Sequence, residues 1–299
     1  TYGEIASKAV GIEIPEEVEL KEISDFKLIG TSIKNVDGKK IVTGEPLFGL
    51  DFKREGMKLA MIQHPPAFGM KLKDFNEEEI KSMPGVTDAF IIDTTIEDPT
   101  WSDEKGFLQL IAIVGDKTWP LMKAKKAIKA NWEIIRPLES SESHLESLEQ
   151  ALLSGEVVQS RVDGNPEAAF KKAAKVIERT YSAPFMAHNT MEPMNFFANV
   201  TETSAELVGP TQTPEALEGS VSKLLNLDIE NVTVNMTRMG GGFGRRLYVH
   251  FGVEAAAISK KIGAPVKLIY SREDDMTQGT YRPAYKSRYK AGLDENNNL

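Results

Sequence analysis

The chain has 299 residues, with 36 Lys and Arg against 44 Asp and Glu, giving a net charge of −8 at neutral pH. That balance argues against a nucleic-acid-binding surface, while a 41% hydrophobic fraction supplies apolar material for packed cores, two of them at roughly 100 to 200 residues per domain. The absence of cysteine excludes thiolate nucleophiles, Cys-ligated zinc, iron–sulfur ligation and disulfides from this stretch.

No window approaches the roughly 20 apolar residues needed to span a bilayer, and the start TYGEIASKAVGIEIPEE has neither a basic nor an apolar leader region. Beginning at Thr and ending in DENNNL, the sequence reads as a piece of something longer.

After an N-terminal segment, residues 1–26, residues 27–135 read as one α+β unit. KIVTGEPLFGLDF (40–52) signals a hairpin, and MKLAMIQHP (57–65), GVTDAFIIDT (85–94) and LQLIAIVGDK (108–117) signal strands. TWPLMKAKKAIKANWE (118–133) predicts a helix with Met122, Ala127 and Ala130 on one face and a solvated lysine face opposite. Residues 136–164, rich in Ser, Glu and Gln, read as a linker with one short helix and mark the domain boundary.

The second unit, 165–299, opens with a helix at PEAAFKKAAKVI, with Ile177 inward. Strands follow at 196–209 and 231–239, with a helix at 213–227 between them. A helix over 248–263 ends at Gly263, APVKLIYS forms the next strand, and YKSRYKAGLD the last.

The strongest local signal is Arg238-Met239-Gly240-Gly241-Gly242-Phe243-Gly244-Arg245-Arg246, between a strand and a helix. Glycines let backbone N–H groups approach a ligand closely, a helix start favours an anion, and two arginines could pair with phosphate. The run is neither a P-loop nor a regular G-x-G-x-x-G fingerprint, so a phosphate-bearing cofactor and a structural turn both remain open.

His188 and Glu192 have the H-x-x-x-E spacing of a metal pair, but Pro184 and Pro193 disfavour a helix there, so a buried, hydrogen-bonded histidine is the expected reading. Six methionines in the second unit read as core filling. Ser271-Arg272-Glu273-Asp274-Asp275-Met276 reads as an exposed or self-paired turn rather than a magnesium site. No G-x-S-x-G elbow or triad order supports a hydrolase.

Together, TMEPMNFFANV, GPTQTPEALEGSVSKLLNL, RMGGGFGRR and AAAISKKIGAPVKLIYSREDDM resemble the molybdenum-binding large subunit of the xanthine oxidase and aldehyde oxidase family. HNTMEP and the arginine pair look most like its isoquinoline 1-oxidoreductase beta branch. The resemblance implies an α+β fold, with an a/b hammerhead-like domain at 27–135 followed by the first part of a molybdopterin-binding domain.

It further implies hydroxylation of an electron-poor carbon in an aldehyde or N-heteroaromatic substrate. The cofactor would be molybdenum-molybdopterin, as the cytosine dinucleotide, and the partner a small [2Fe-2S] electron-transfer subunit. Carried over by motif, Gln212 would hydrogen-bond an oxygen ligand of the metal, and Gly241, Gly242, Phe243, Gly244 and Arg245 would form the loop against the metal's other ligands and the pterin. Where xanthine oxidases carry a substrate-binding glutamate, this chain has Leu247. The family's catalytic glutamate would fall beyond Leu299, leaving the segment itself inactive. Relatives fit either the bacterial periplasm or the cytoplasm. The alternative is a non-catalytic binding module on the same scaffold.

Overall fold

The computed structural model describes residues 2–99, 101, 109–156 and 158–299. The chain divides into two compact units, residues 1–45 and 46–299. The first contains helices α1 (Tyr2–Ala9) and α2 (Gly38–Val42), neither with a buried residue.

All the strands among the described residues lie in the second unit. In chain order these are β1 (Lys58–Gln63), β2 (Met70–Phe75), α3 (Glu77–Lys81), β3 (Val86–Asp93), β4 (Gln109–Gly115), α4 (Thr118–Ala127), β5 (Ala130–Ile134), α5 (Ser141–Ser154) and α6 (Pro166–Lys172). There follow β6 (Lys175–Ala183), β7 (Asn195–Val200), β8 (Ala205–Gly209), α7 (Pro214–Leu225), β9 (Val232–Met236), α8 (His250–Ile262), β10 (Val266–Ile269), α9 (Arg272–Thr277) and β11 (Tyr285–Leu293). The α+β class expected from the sequence is what is found.

Seven strands form one sheet in the order β3-β4-β1-β10-β7-β8-β9. Its central seam pairs β1 with β10 in parallel, Lys58 opposite Val266 and Ala60 opposite Leu268. Strands from both sides of residues 136–164 therefore share one sheet, and that segment connects parts of a single packed body rather than dividing two. It also carries more helix than expected: Ser140 Oγ accepts the Ser143 N–H at 3.1 Å and starts the 14-residue α5.

Both faces of the middle strands are covered, so β4 reads as a continuous apolar run rather than an alternation. Ala60, Ile62, Leu110, Ala112, Phe196 and Leu268 join α7 and α8 in the larger core. Met61, Ala89 and Ile113 pack on the other face with Ile80, Leu121 and Ala124.

Several local expectations give way. No hairpin forms over 40–52, because the Asp51 carboxylate accepts the N–H groups of Leu47 (3.2 Å) and Phe48 (3.0 Å) and closes a short 3-10 turn at Gly49–Asp51. The helix predicted over 118–133 stops at Ala127. Asn76 receives the Lys129 N–H at 2.7 Å and donates to the Ala127 carbonyl at 3.1 Å, after which β5 pairs with β2. The helix predicted from Pro166 ends at Lys172, and Ile177 lies instead on β6, paired with β11 in a two-stranded ribbon. Leu108 and Val157, within the predicted strand and linker, lie outside the described residues.

The lysine face of α4 is not wholly solvated. Lys125 is 11% exposed and bonds both the Ile62 carbonyl and Asp274, at 2.7 Å from the latter. The acidic run is self-paired, Arg272 meeting Asp275 at 2.9 Å, but on a short helix rather than an exposed turn: Ser271 Oγ and the Asp274 carboxylate cap one another's backbone N–H, and Asp274 and Asp275 are both buried.

Candidate functional site

The glycine run leaves the edge strand β9 and re-enters the core at α8. Its backbone takes positive φ at Gly241 (104°), Phe243 (55°) and Gly244 (92°). At Phe243, a bulky side chain in the left-handed region, this is a strained conformation held by its surroundings. Phe243 is 66% exposed.

Gln212 lies on the turn between β8 and α7, and its backbone N–H donates to the Arg246 carbonyl at 3.0 Å. Its side-chain oxygen accepts the Gly244 N–H at 3.1 Å. That bond fixes the amide's orientation and leaves its NH₂ without a protein partner among the described residues, on an exposed side chain. A Cβ at Gly242 would sit 2.7 Å from the same oxygen, so only glycine permits this approach. Gln212, Gly241, Gly242, Phe243 and Gly244, predicted from the sequence as one site, do come together.

The arginines behave differently from expectation. Arg246 is fully buried and donates to the carbonyls of Gly241 (2.8 Å) and Glu192 (2.8 Å), with the Glu192 carboxylate 3.4 Å away. Burial lowers its guanidinium to about 10, against the raising influence of Glu192 and Asp275, so it is charged at neutral pH. Arg245 is 1% exposed, reaching His250 Nε2 at 3.2 Å and the Gln278 carbonyl at 3.3 Å, with its Nε unpartnered. Both side chains brace the loop from within the protein instead of meeting a phosphate at its surface.

Sequence reasoning weighed Glu192 only as a partner of His188 and missed its role in holding the loop. Glu192 is 6% exposed, and its two oxygens accept four donors: Leu50 N–H (3.1 Å) and Asn195 Nδ2 (3.0 Å) on one, Gly240 N–H (2.8 Å) and Arg246 on the other. A Cβ on Gly240 would collide with its side chain. The available signal was a single carboxylate inside the apolar run MEPMNFF, where a charge persists only with several donors around it.

His188 is half-buried rather than buried. Its Nδ1 has no partner, and its pKa is lowered by burial and then by the Arg245 and Arg282 charges. Its ring lies under Gly244, Nε2 3.6 Å from where a Cβ would stand. Deeper, Tyr270 donates to Glu254 at 2.6 Å, and His64 Nε2 lies 2.9 Å from the same carboxylate. Burial raises the Tyr270 phenol and lowers His250, each well away from its ordinary range. Among the described residues, no group of three or more His, Asp or Glu side chains converges to hold a metal, and no helix is long and apolar enough to cross a membrane.

Residues 151–299 match the model of the molybdopterin cofactor-binding domain. Over its full length the chain is 26% identical to a membrane-bound aldehyde dehydrogenase (pyrroloquinoline-quinone) of Gluconacetobacter polyoxogenes, of which it spans 39%. It is 26% identical over 92% of its length to isoquinoline 1-oxidoreductase subunit beta of Brevundimonas diminuta, of which it spans 35%. In fold it resembles the quinoline 2-oxidoreductase of Pseudomonas putida 86, with a TM-score of 0.65 and 17% identity over 89% of this chain and 37% of that one. The loop that carries the glycines thus lies within a recognised cofactor domain, and the chain belongs to the molybdopterin-binding large subunits of the xanthine oxidase and aldehyde oxidase family.

Proposed function

We propose that these residues form the loop-bearing part of a molybdenum hydroxylase that oxidises an aldehyde or an N-heteroaromatic compound. They would hold molybdopterin, as the cytosine dinucleotide, through Gln212, Gly241, Gly242, Phe243 and Gly244, and pass electrons to a small [2Fe-2S] subunit. The observation that carries the reading is the Gln212–Gly244 bond, which presents an oriented amide NH₂ beside a tight loop of positive-φ residues.

The residues present fit such a group. An amide donor and closely approachable backbone suit negative oxygens, and preorganised donors of this kind cost no reorganisation when charge develops near them. When bound, the molybdenum cofactor supplies oxygen-atom transfer and two-electron redox chemistry.

The chain's own contribution is orientation. Gln212, its oxygen held by the Gly244 N–H, would donate from its NH₂, Arg245 and Arg246 brace the loop, and exposed Phe243 would offer an apolar edge to a planar ligand. Leu247 stands in place of a carboxylate, which suits an uncharged ring edge better than a purine's array of N–H donors.

Co-expression of the large subunit containing these residues with a small iron–sulfur subunit, in molybdate-replete cells, tests the reading. Stoichiometric molybdenum and a fluorescent oxidised pterin are expected, with hydroxylation of an aldehyde or N-heterocycle. Protein free of both molybdenum and pterin would overturn it.

A further inference from the structure

A cleft of about 790 Å³ lies apart from the mouth of the glycine loop, within the size range of small-molecule sites. Three aromatic rings line it, Phe68, Phe185 and Tyr281, with Pro66 and Pro137 adding flat apolar surface. Two of these residues are partly open to solvent, Phe68 at 41% and Phe185 at 45% exposed.

The charges are unevenly distributed. Glu139 and His144 satisfy one another at 2.7 Å, and the imidazole packs edge-on against Phe185 at 4.9 Å between centroids. Arg136, the remaining cation of the lining, makes no ion pair among the described residues. Burial raises the Tyr281 phenol, which keeps its proton and so serves as a donor. A cleft with aromatic walls, an acid already hydrogen-bonded to His144 and a guanidinium without an ion pair among the described residues complements a flat ring bearing one carboxylate.

Its inner wall also belongs to the site already described. The backbones of Met186 and Arg282 pair through two hydrogen bonds, Arg282 N–H to the Met186 carbonyl at 2.8 Å and Met186 N–H to the Arg282 carbonyl at 3.3 Å. Phe185 and Tyr281 on this pair line the cleft, whereas nearby His188 and Gly279 pack beneath Gly244 and against Arg245. One thin partition thus separates the cleft from the underside of the loop.

We infer that this cleft is a binding site for a small aromatic carboxylate, gripped by Arg136 and stacked among Phe68, Phe185 and Tyr281. That the acid is a substrate on its way to the loop rests on the hydroxylase reading above, but the binding itself needs no cofactor. The two therefore fail separately.

The test uses the 299-residue chain and two probes of equal shape, 2-naphthoate and its uncharged counterpart 2-naphthamide, titrated by calorimetry and NMR. Saturable 2-naphthoate binding is expected, with the amide about tenfold weaker, as the loss of one charge-assisted pairing would give. Arg136→Gln should weaken 2-naphthoate about tenfold and leave the amide unchanged, while Phe185→Ala should weaken both. Circular dichroism on each variant confirms the fold. Equal affinity for acid and amide, an unaffected Arg136→Gln, or no saturable binding would each overturn the proposal.

Discussion

Glu192 and Gly240 are joined twice: the Gly240 N–H donates to the Glu192 side chain at 2.8 Å, and the Glu192 N–H donates to the Gly240 carbonyl at 3.0 Å. The first glycine of the loop is thereby locked to the segment before β7, independently of any ligand. All four side-chain partners of Glu192 are donors, so the position requires an acceptor on both oxygens.

Glu192→Gln should therefore be nearly as disruptive as Glu192→Ala, despite its matching shape, since it turns an NH₂ toward donors. Each buried donor left unmet costs about 1–3 kcal/mol. Hydrogen exchange at the Leu50 and Gly240 amides is expected to accelerate together. Unchanged protection in Glu192→Gln would show that the carboxylate does not hold the loop.

Gly242→Ala tests the approach of the loop to Gln212. A methyl 2.7 Å from the Gln212 oxygen must displace it and break its bond to Gly244, worth about 1 kcal/mol. Pterin content of the assembled enzyme, measured by fluorescence after oxidation, should fall for Gly242→Ala and for Gln212→Leu, by about tenfold if the loss reaches 1.4 kcal/mol.

The Lys125–Asp274 pair predicts a stability effect outside the glycine loop itself. With side chains 11% and 6% exposed, removing either partner strands a buried charge, at a cost of about 3–5 kcal/mol. Lys125→Met and Asp274→Leu should each lower the urea midpoint sharply, and the double variant should recover much of the loss. Additive losses would mean that the two side chains are energetically independent.

His250 makes stability depend on pH. Burial, then the charge of Arg245, holds its pKa well below the ordinary imidazole value, so the folded protein keeps it neutral while the unfolded chain protonates below about pH 6.5. Its contribution is intact above that pH and shrinks as pH falls toward the depressed folded value, by up to about 1.4 kcal/mol per pH unit. Urea titrations from pH 7.5 to 5.5 should show this decline, shallower in His250→Gln. An equal slope in the two proteins would assign the pH dependence elsewhere.

Much of the central sheet was legible because its strands are covered on both faces: QLIAIVG and NFFANV announce themselves by their largely apolar character. Strand β6 was not, since KVIERTYSA is polar and mostly exposed, and only its distant partner β11 makes it a strand. The glycine run revealed the loop, and motif resemblance pointed to Gln212. The inward turn of Arg245 and Arg246 was hidden for a different reason. Sequence registers two positive charges but not the buried carbonyls and carboxylate, contributed by residues 192, 210, 241 and 278, that receive them.

The parallel pairing of β1 with β10 has a kinetic consequence. Lys58 and Val266, opposite one another in the middle of the sheet, are separated by roughly 200 residues of chain, so the central seam cannot close until nearly all of it has been synthesised. Loop closure over such a distance must precede the contacts that reward it, which makes folding slow and late. Until β10 emerges the facing edges of β1 and β7 lie open, each strand rich in buried apolar residues, and in that interval the nascent chain is most in need of a chaperone.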